Sequence, residues 1–184
     1  YWQARFYPDI EGETIYLGGS GNLGSTYVSA YGYDTPHTSA LNRQYFPQAG
    51  TITGLYAYCA TQPGAGGSIA LTCQLNGADS ALVVNMTGGN NLFSNTANQI
   101  SVGASDMISF THAITGSPAN TNYSFSYSFK PDIAGQSVVN FYMDTQVSTS
   151  NTEYLFPGGF SDSNTTLSDY ALTLDLDDDI FIKS

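Results

Sequence analysis

The chain has 184 residues, of which 41% are hydrophobic, 14% aromatic and 10% charged, so it can bury a core and is not expected to be disordered. Four basic residues against fifteen acidic ones give a formal net charge of -11, which repels polyanions and predicts no nucleic-acid partner. No run reaches the roughly 18 apolar residues of a spanning helix, and no leader-like segment is present, so we expect no membrane insertion.

Short apolar–polar alternations recur along the chain at spacings of about 8–12 residues, and no convincing helical period extends over ten residues. This pattern predicts an all-β protein of the sandwich or barrel type. Segments rich in Gly, Asn and Pro predict the turns, among them 18–21, 62–67, 87–91 and 116–118. The predicted strands are 13–17, 27–33, 51–60, 68–75, 81–86, 99–102, 107–113, 123–129, 138–147 and 171–176.

Two short stretches give the sharpest local predictions. The alternation YSFSYSF at 123–129 predicts a strand with its aromatic side chains buried and its serines on the other side. Asn76-Gly77, between two alternating runs, predicts a tight hairpin turn, because both residue types readily adopt left-handed backbone conformations.

The two cysteines, Cys59 and Cys73, each lie on the apolar parity of their run, so both thiols are expected to face the core. A disulfide between them and two separate buried thiols fit the sequence about equally well. The cysteines therefore do not indicate whether the protein functions in an oxidising or a reducing compartment.

Four sequence segments, in this order along the chain, resemble a jelly-roll module of phage and environmental-virus structural proteins. They are QAGTITGLY at 48–56, PGAG at 63–66, LTCQLNGADSAL at 71–82 and NQISVGASDMIS at 98–109. The module is similar in shape to the tumour-necrosis-factor and complement-globular-head sandwiches, and the resemblance covers about residues 15–129. The chain departs from it at Ser105-Asp106, where the family usually has Gly-Asp, and this departure puts a turn conformation in doubt.

The resemblance implies a jelly-roll β-sandwich over residues 1–131, a virion-surface, decoration or tail-associated role, and assembly into trimers. It names no catalytic residues. Composition changes after Pro131, and TEYLFPGG at 152–159 echoes ETIYLGG at 13–19. We therefore expect residues 132–184 to form a C-terminal β extension or a partial second module.

The sequence also contains motifs that could indicate dinucleotide binding, catalysis or metal binding. For each of them a loop or strand position is the favoured interpretation. The GSGNLG run at 19–24 formally matches a dinucleotide fingerprint but lies among predicted strands, so a loop is favoured and no cofactor is expected. His37 is assigned to a loop and His112 to a half-buried strand position, and no enzymatic activity is expected. Asp175, Asp177 and Asp179 are weak candidates for a metal site, with a solvated strand face favoured.

The function predicted from these features is self-association as a structural subunit of a virion or another extracellular assembly. Identical subunits are the expected partners, in a homo-oligomer with a trimer favoured, and other virion proteins or surface glycans are further candidates. The alternative is a carbohydrate-binding or receptor-binding adhesion module, with Tyr31 and Tyr33 as weak ligand candidates. The residues predicted to add to a partner's sheet are Phe141, Tyr142, Met143, Tyr170, Ile180 and Ile182.

Overall fold

The computed structural model describes residues 12–21, 27–28, 43–119, 122–134 and 136. Every helix or strand assigned within these residues is a strand, so the predicted all-β class is confirmed. The strands are β1 (Thr14–Gly21), β2 (Tyr27–Val28), β3 (Gln44–Tyr45), β4 (Gly50–Tyr58), β5 (Gly64–Leu75), β6 (Ala78–Gly88), β7 (Leu92–Asn95), β8 (Ile100–Val102), β9 (Met107–Gly116) and β10 (Tyr123–Pro131).

The strands form two five-stranded antiparallel sheets that pack together as a sandwich. In the first sheet the order is β1-β10-β4-β7, and β8 also pairs with β4. In the second sheet the order is β2-β9-β5-β6, and β3 also pairs with β9. The chain crosses between the sheets repeatedly, since β4 lies in the first, β5 and β6 in the second, β7 and β8 in the first, β9 in the second and β10 in the first.

The core lies between the two sheets and is built by period-two alternation, which sends every second side chain of each strand inward. Both sheets contribute to one continuous hydrophobic cluster. Aromatic rings dominate the contribution of β10, whereas β5 and β6 supply aliphatic and sulfur-containing side chains. The larger members are Tyr16, Phe46, Ile52, Leu55, Ile69, Leu71, Leu82, Met86, Ile108, Phe110, Tyr123, Phe125, Tyr127 and Phe129.

Aromatic contacts join neighbouring strands within the first sheet and also join the two sheets. Tyr16 of β1 stacks on Tyr127 of β10, with ring centroids 5.1 Å apart and an interplanar angle of 6°. Phe110 of β9 packs from the opposite sheet against Phe125 and Tyr127, at centroid distances of 4.7 Å and 5.2 Å. Such offset and tilted pairs add roughly 0.5–1.5 kcal/mol beyond their buried area. The aromatic parity predicted for 123–129 is thereby confirmed.

Two buried polar contacts join the sheets. The Tyr127 hydroxyl donates to Oε1 of Gln44, which lies on β3 of the second sheet. His112 Nδ1 and Tyr123 Oη share a hydrogen bond of 2.8 Å between β9 and β10. Burial raises the pKa of the Tyr123 hydroxyl, which keeps that hydroxyl protonated. His112 therefore lies on the core-facing parity and has a structural partner.

Two predicted turns are strand instead. Residues 18–21 belong to β1, where a Cβ on Gly18 would lie 2.2 Å from Cε2 of Phe125, so the ring occupies the space that a side chain would need. Residues 64–67 belong to β5, where a Cβ on Gly67 would lie 2.5 Å from the Thr115 carbonyl oxygen. Glycine at these positions lets an adjacent strand pack closely, and it does not mark a reversal of chain direction.

The boundaries of other predicted strands also shift. The sequence analysis missed β3 and β7, which have two and four residues. Of the segment 27–33, only residues 27–28 are described, as β2. The predicted strands 138–147 and 171–176 lie outside the described residues, and the predicted division of the chain at residues 131 and 132 stays a prediction.

The predicted hairpin turn is confirmed. Leu75 pairs with Ala78, and the two residues between them, Asn76 and Gly77, have φ of 52° and 84°, as a two-residue turn between twisted strands requires. Ser105, at the position where the resembled family usually has Gly, has φ of 74°. The left-handed turn is therefore present here with a serine, at the conformational cost that such a residue carries.

Candidate functional site

Most residues that the sequence singled out lie outside the described residues. They are Tyr31, Tyr33, His37, Phe141, Tyr142, Met143, Tyr170, Asp175, Asp177, Asp179, Ile180 and Ile182. Their roles as ligand, metal or assembly residues stay predictions. The candidate site described below consists of residues that the sequence analysis did not select.

The outer side of the first sheet carries large apolar side chains in the open. Tyr56 and Tyr58 on β4 are 38% and 47% exposed, Leu92 on β7 is 75% exposed, and Ile15 on β1 is 41% exposed. Pairing registers place these side chains in rows across the sheet. We call the outward residues Ile15, Tyr56, Tyr58, Leu92, Ser94, Ser124 and Ser126 the tyrosine face.

Backbone pairing fixes the centre of the tyrosine face. Tyr58 pairs with Ser124 on one side and Leu92 on the other, and Tyr56 pairs in the same way with Ser126 and Ser94. A Cβ on Gly54 would lie 2.7 Å from the Tyr56 hydroxyl, so the Tyr56 ring extends over Gly54. A side chain at Gly54 would therefore occupy the space that the Tyr56 ring fills.

One edge of the tyrosine face is polar. The β4–β10 register shifts between Ser128 and Phe129, so that Thr53 has no partner of its own on β10. The Thr53 hydroxyl contacts the Ser128 hydroxyl at 2.7 Å and donates to Oε1 of Glu13. Lys130, the only basic residue on β10, is six residues from Ser124, which is about 20 Å along an extended strand. Lys130 is thus distant from Tyr58 and Leu92, whereas the Glu13 carboxylate lies at the polar edge of the face, beside Thr53.

The outer side of the second sheet is different. On β9, β5 and β6 most outward residues are small, and they form rows such as Thr115–Ser68–Thr87 and Ala113–Ala70–Asn85. A larger side chain, Tyr45, lies on β3 at the edge of the sheet beyond β9 and is 61% exposed. We call the set Ser68, Ala70, Thr72, Val83, Asn85, Thr87, Thr111, Ala113 and Thr115 the threonine face.

The two thiols lie in the core. Cys59 and Cys73 are 1% and 0% exposed, which confirms their predicted inward parity, and they are not bonded to each other. The Cys59 thiol contacts Sδ of Met86 at 3.6 Å. Burial raises the pKa of both thiols, that of Cys73 to about 12, so neither is a ready nucleophile.

The described residues cover only part of the other motifs considered for chemistry. No group of three or more His, Cys, Asp and Glu side chains in this part of the chain is placed to hold a metal ion. Residues 19–21 of the glycine-rich run form the end of β1. The described residues also contain no helix with the length and hydropathy needed to cross a bilayer.

Comparisons with known proteins identify no family. No protein-family model matches the chain, and no curated protein matches it. Among solved structures, the chain is similar to the GH26-CBM35 β-(1,4)-mannanase of Podospora anserina, with 14% sequence identity and a TM-score of 0.35. The match covers 78% of this chain but only 32% of the mannanase chain.

Proposed function

We propose that this protein is a non-catalytic structural subunit that self-associates through the tyrosine face. The observation that supports the proposal most directly is the exposure of Tyr56, Tyr58 and Leu92 together on one side of the first sheet. Tyrosine provides a large rigid contact area and a hydroxyl that remains satisfied at a partly wet interface. The neighbouring serines supply small groups that allow close approach and hydrogen bonding.

Charge supports a second copy of this chain as the occupant of that face. A subunit with a net charge of -11 repels its own copies, so self-association requires a contact region free of acidic side chains. The seven residues of the tyrosine face are uncharged, and Glu13, at its polar edge, has its carboxylate bonded to the Thr53 hydroxyl. A partner chosen for charge complementarity would be basic and would be expected to bind the acidic parts of the surface instead.

The strand arrangement supports a jelly-roll as the finer description of the sandwich. The chain alternates between the two sheets from β4 to β10, and only the β5–β6 hairpin and the adjacent β7 and β8 stay within one sheet. Repeated crossing of this kind is typical of double-sheet Greek-key folds. The trimeric state and the placement on a virion or in another extracellular assembly rest on the sequence resemblance.

A pair of lysine substitutions tests the proposal. Tyr58→Lys places an ammonium group in the tyrosine face, and Ala113→Lys makes the same charge change on the threonine face. Both variants reduce the net negative charge and therefore the general repulsion between copies. If only Tyr58→Lys loses association, the cause is the burial of its ammonium group in the contact between copies.

Sedimentation velocity over a concentration series measures the outcome. We expect Tyr58→Lys to weaken association by about a hundredfold or more and Ala113→Lys to leave it unchanged. Equal behaviour of the two variants, or a chain that stays monomeric in every case, would contradict the proposal. A monomer that binds glycans through Tyr56 and Tyr58 would instead favour the carbohydrate-binding alternative, because exposed aromatic rings also stack on sugars.

A further inference from the structure

The Asn76-Gly77 turn has a second feature that its role as a hairpin does not require. The Asn76 side chain reaches across to the loop before β9, where Nδ2 donates to Oδ1 of Asp106 at 2.9 Å and Oδ1 accepts from the Met107 backbone N–H at 3.0 Å. The Asn76 backbone N–H also donates to the Met107 carbonyl oxygen, at 2.8 Å. One exposed side chain therefore joins two loops that are 30 residues apart.

Asp106 extends this connection into the core. Its Oδ2 accepts from the Gly103 backbone N–H at 2.7 Å, which closes the loop between β8 and β9. The same loop exchanges backbone hydrogen bonds with Phe46, from Ser105 N–H to the Phe46 carbonyl and from Phe46 N–H to the Asp106 carbonyl. Phe46 is fully buried. The Asn76–Asp106 contact thus stabilises the backbone around a core residue.

Asn76-Gly77 is also the only Asn-Gly dipeptide in the 184 residues. Asparagine followed by glycine is the dipeptide most prone to spontaneous deamidation, because glycine has no side chain to hinder attack by its backbone nitrogen. Both residues are exposed, so water reaches them. In the folded turn, however, both ends of the Asn76 amide are hydrogen-bonded.

We propose that Asn76 is a deamidation site that the Asp106 contact protects, and that its modification opens the connection between the two loops irreversibly. In the first step the Gly77 nitrogen forms a bond to Asn76 Cγ, the Cγ–Nδ2 bond breaks, and ammonia leaves with the Gly77 proton. Water then opens the cyclic imide at either carbonyl, which yields an aspartyl or an isoaspartyl residue. The sum is amide plus water to carboxylic acid plus ammonia, with no change in oxidation state.

The aspartyl product keeps an acceptor for the Met107 backbone N–H but loses the contact with Asp106. Its carboxylate has no N–H to donate to Asp106, and it places a second negative charge within hydrogen-bond distance of the Asp106 carboxylate. Two ionised carboxylates so close together repel each other. An isoaspartyl product also lengthens the backbone within a turn that requires φ of 52° and 84°. The Asn76–Asp106 connection between the hairpin and the loop before β9 is therefore lost after modification.

The test follows the mass of the peptide that contains Asn76 while the folded chain is incubated at mildly alkaline pH. Asp106→Asn leaves one acceptor oxygen where the carboxylate has two, so the side chain can no longer accept from both Asn76 and Gly103. Asp79→Asn is the matched control, because the Asp79 carboxylate lies in the same hairpin but accepts from Gln74. We expect deamidation at Asn76 to be about fivefold faster in Asp106→Asn, the factor that one hydrogen bond is typically worth, and unchanged in Asp79→Asn.

A second measurement applies even if Asp106→Asn does not fold. Asn76→Asp mimics the aspartyl product and is expected to lower the melting temperature at neutral pH relative to Asn76→Ser, which removes the amide without adding charge. Equal deamidation rates in the unmodified chain and in Asp106→Asn would overturn the proposal, as would equal melting temperatures for Asn76→Asp and Asn76→Ser.

Discussion

The two outer faces of this sandwich differ in the size of their side chains rather than in their charge. The tyrosine face presents two aromatic rings and Leu92 on neighbouring strands, whereas the threonine face presents rows of Ser, Thr, Ala, Asn and Val. The exposed Tyr45 of β3 lies apart from those rows, at the edge of the second sheet. Both faces are carried by central strands of similar length, β4 with β10 and β5 with β9. The comparison shows that a neutral polar composition can provide one surface suited to association and another with little apolar area to bury.

The inner sides of the two sheets are both apolar and pack against each other, whereas the outer sides differ in side-chain size. Aromatic residues of β10 pack against Phe110 of the second sheet and against Phe46, which follows β3, so the inner sides of both sheets cover one core. Folding stability and association therefore depend on different residues. The predictions for these two properties follow in order of expected effect.

The largest effect is expected for the reactivity of Cys59 and Cys73. Both are buried and unbonded, and burial raises the pKa of each thiol, so reaction with a thiol-specific reagent requires opening of the core. For a domain stable by about 5 kcal/mol, native labelling should be slowed by roughly a thousandfold or more. Absorbance with a chromogenic disulfide reagent should detect two thiols after unfolding. Detection of none after unfolding would indicate a disulfide, and rapid labelling of the native chain would indicate an open core.

The second-largest effect is expected when two side chains of the tyrosine face are shortened to alanine. Replacing Tyr58 and its cross-strand neighbour Leu92 by Ala should weaken association by about a hundredfold, since buried aromatic anchors dominate interfaces. The free energy of unfolding of the monomer should change far less, because both side chains are open to solvent in the isolated sandwich. Sedimentation and denaturant titration measure the two quantities. Thr87→Ala with Thr115→Ala is the control on the threonine face, and an equal loss of association there would remove the distinction between the faces.

The smallest effect is expected from the Asp106 carboxyl, which lies in a loop away from both faces. The hydrogen bond from Asn76, and then that from Gly103, lower the pKa of Asp106 in the folded chain. A lowered folded pKa means that the contribution to stability is complete above the ordinary carboxyl pKa and is lost as the pH falls through the folded value. We therefore expect a shallow loss of stability below about pH 4.

The Asp106→Asn variant should lack that part of the acid dependence, while its association at neutral pH should match that of the unmodified chain. Melting temperatures over an acidic pH series provide the measurement. Identical profiles for the variant and the unmodified chain would show that this carboxyl makes no such contribution.

The sequence predicted the regular parts of the fold because alternation is strong where one side of a strand is buried. Tyr123 to Tyr127 show it most clearly, and the Asn76-Gly77 turn follows from local conformational preference alone. The strand character of Gly18 and Gly67 was not predictable, because it depends on a ring or a carbonyl from a distant strand. Strands as short as β3 leave too few residues for a period to be recognised.

The candidate site was predictable in part. The parity that sends Leu55, Ala57 and Cys59 inward also sends Tyr56 and Tyr58 outward. What the sequence could not show is which strands lie beside β4, and hence that Leu92 and Ser124 flank Tyr58. Neighbours across a sheet are set by long-range pairing, and local patterns contain no information about it.

Sedimentation equilibrium of the unmodified 19.6 kDa chain at low and high salt tests the central claim most directly. We predict a discrete multiple of the monomer mass, with association that strengthens as salt screens the repulsion between acidic copies. A mass that stays at 19.6 kDa at every concentration and salt level, or association that weakens with salt, would contradict the account.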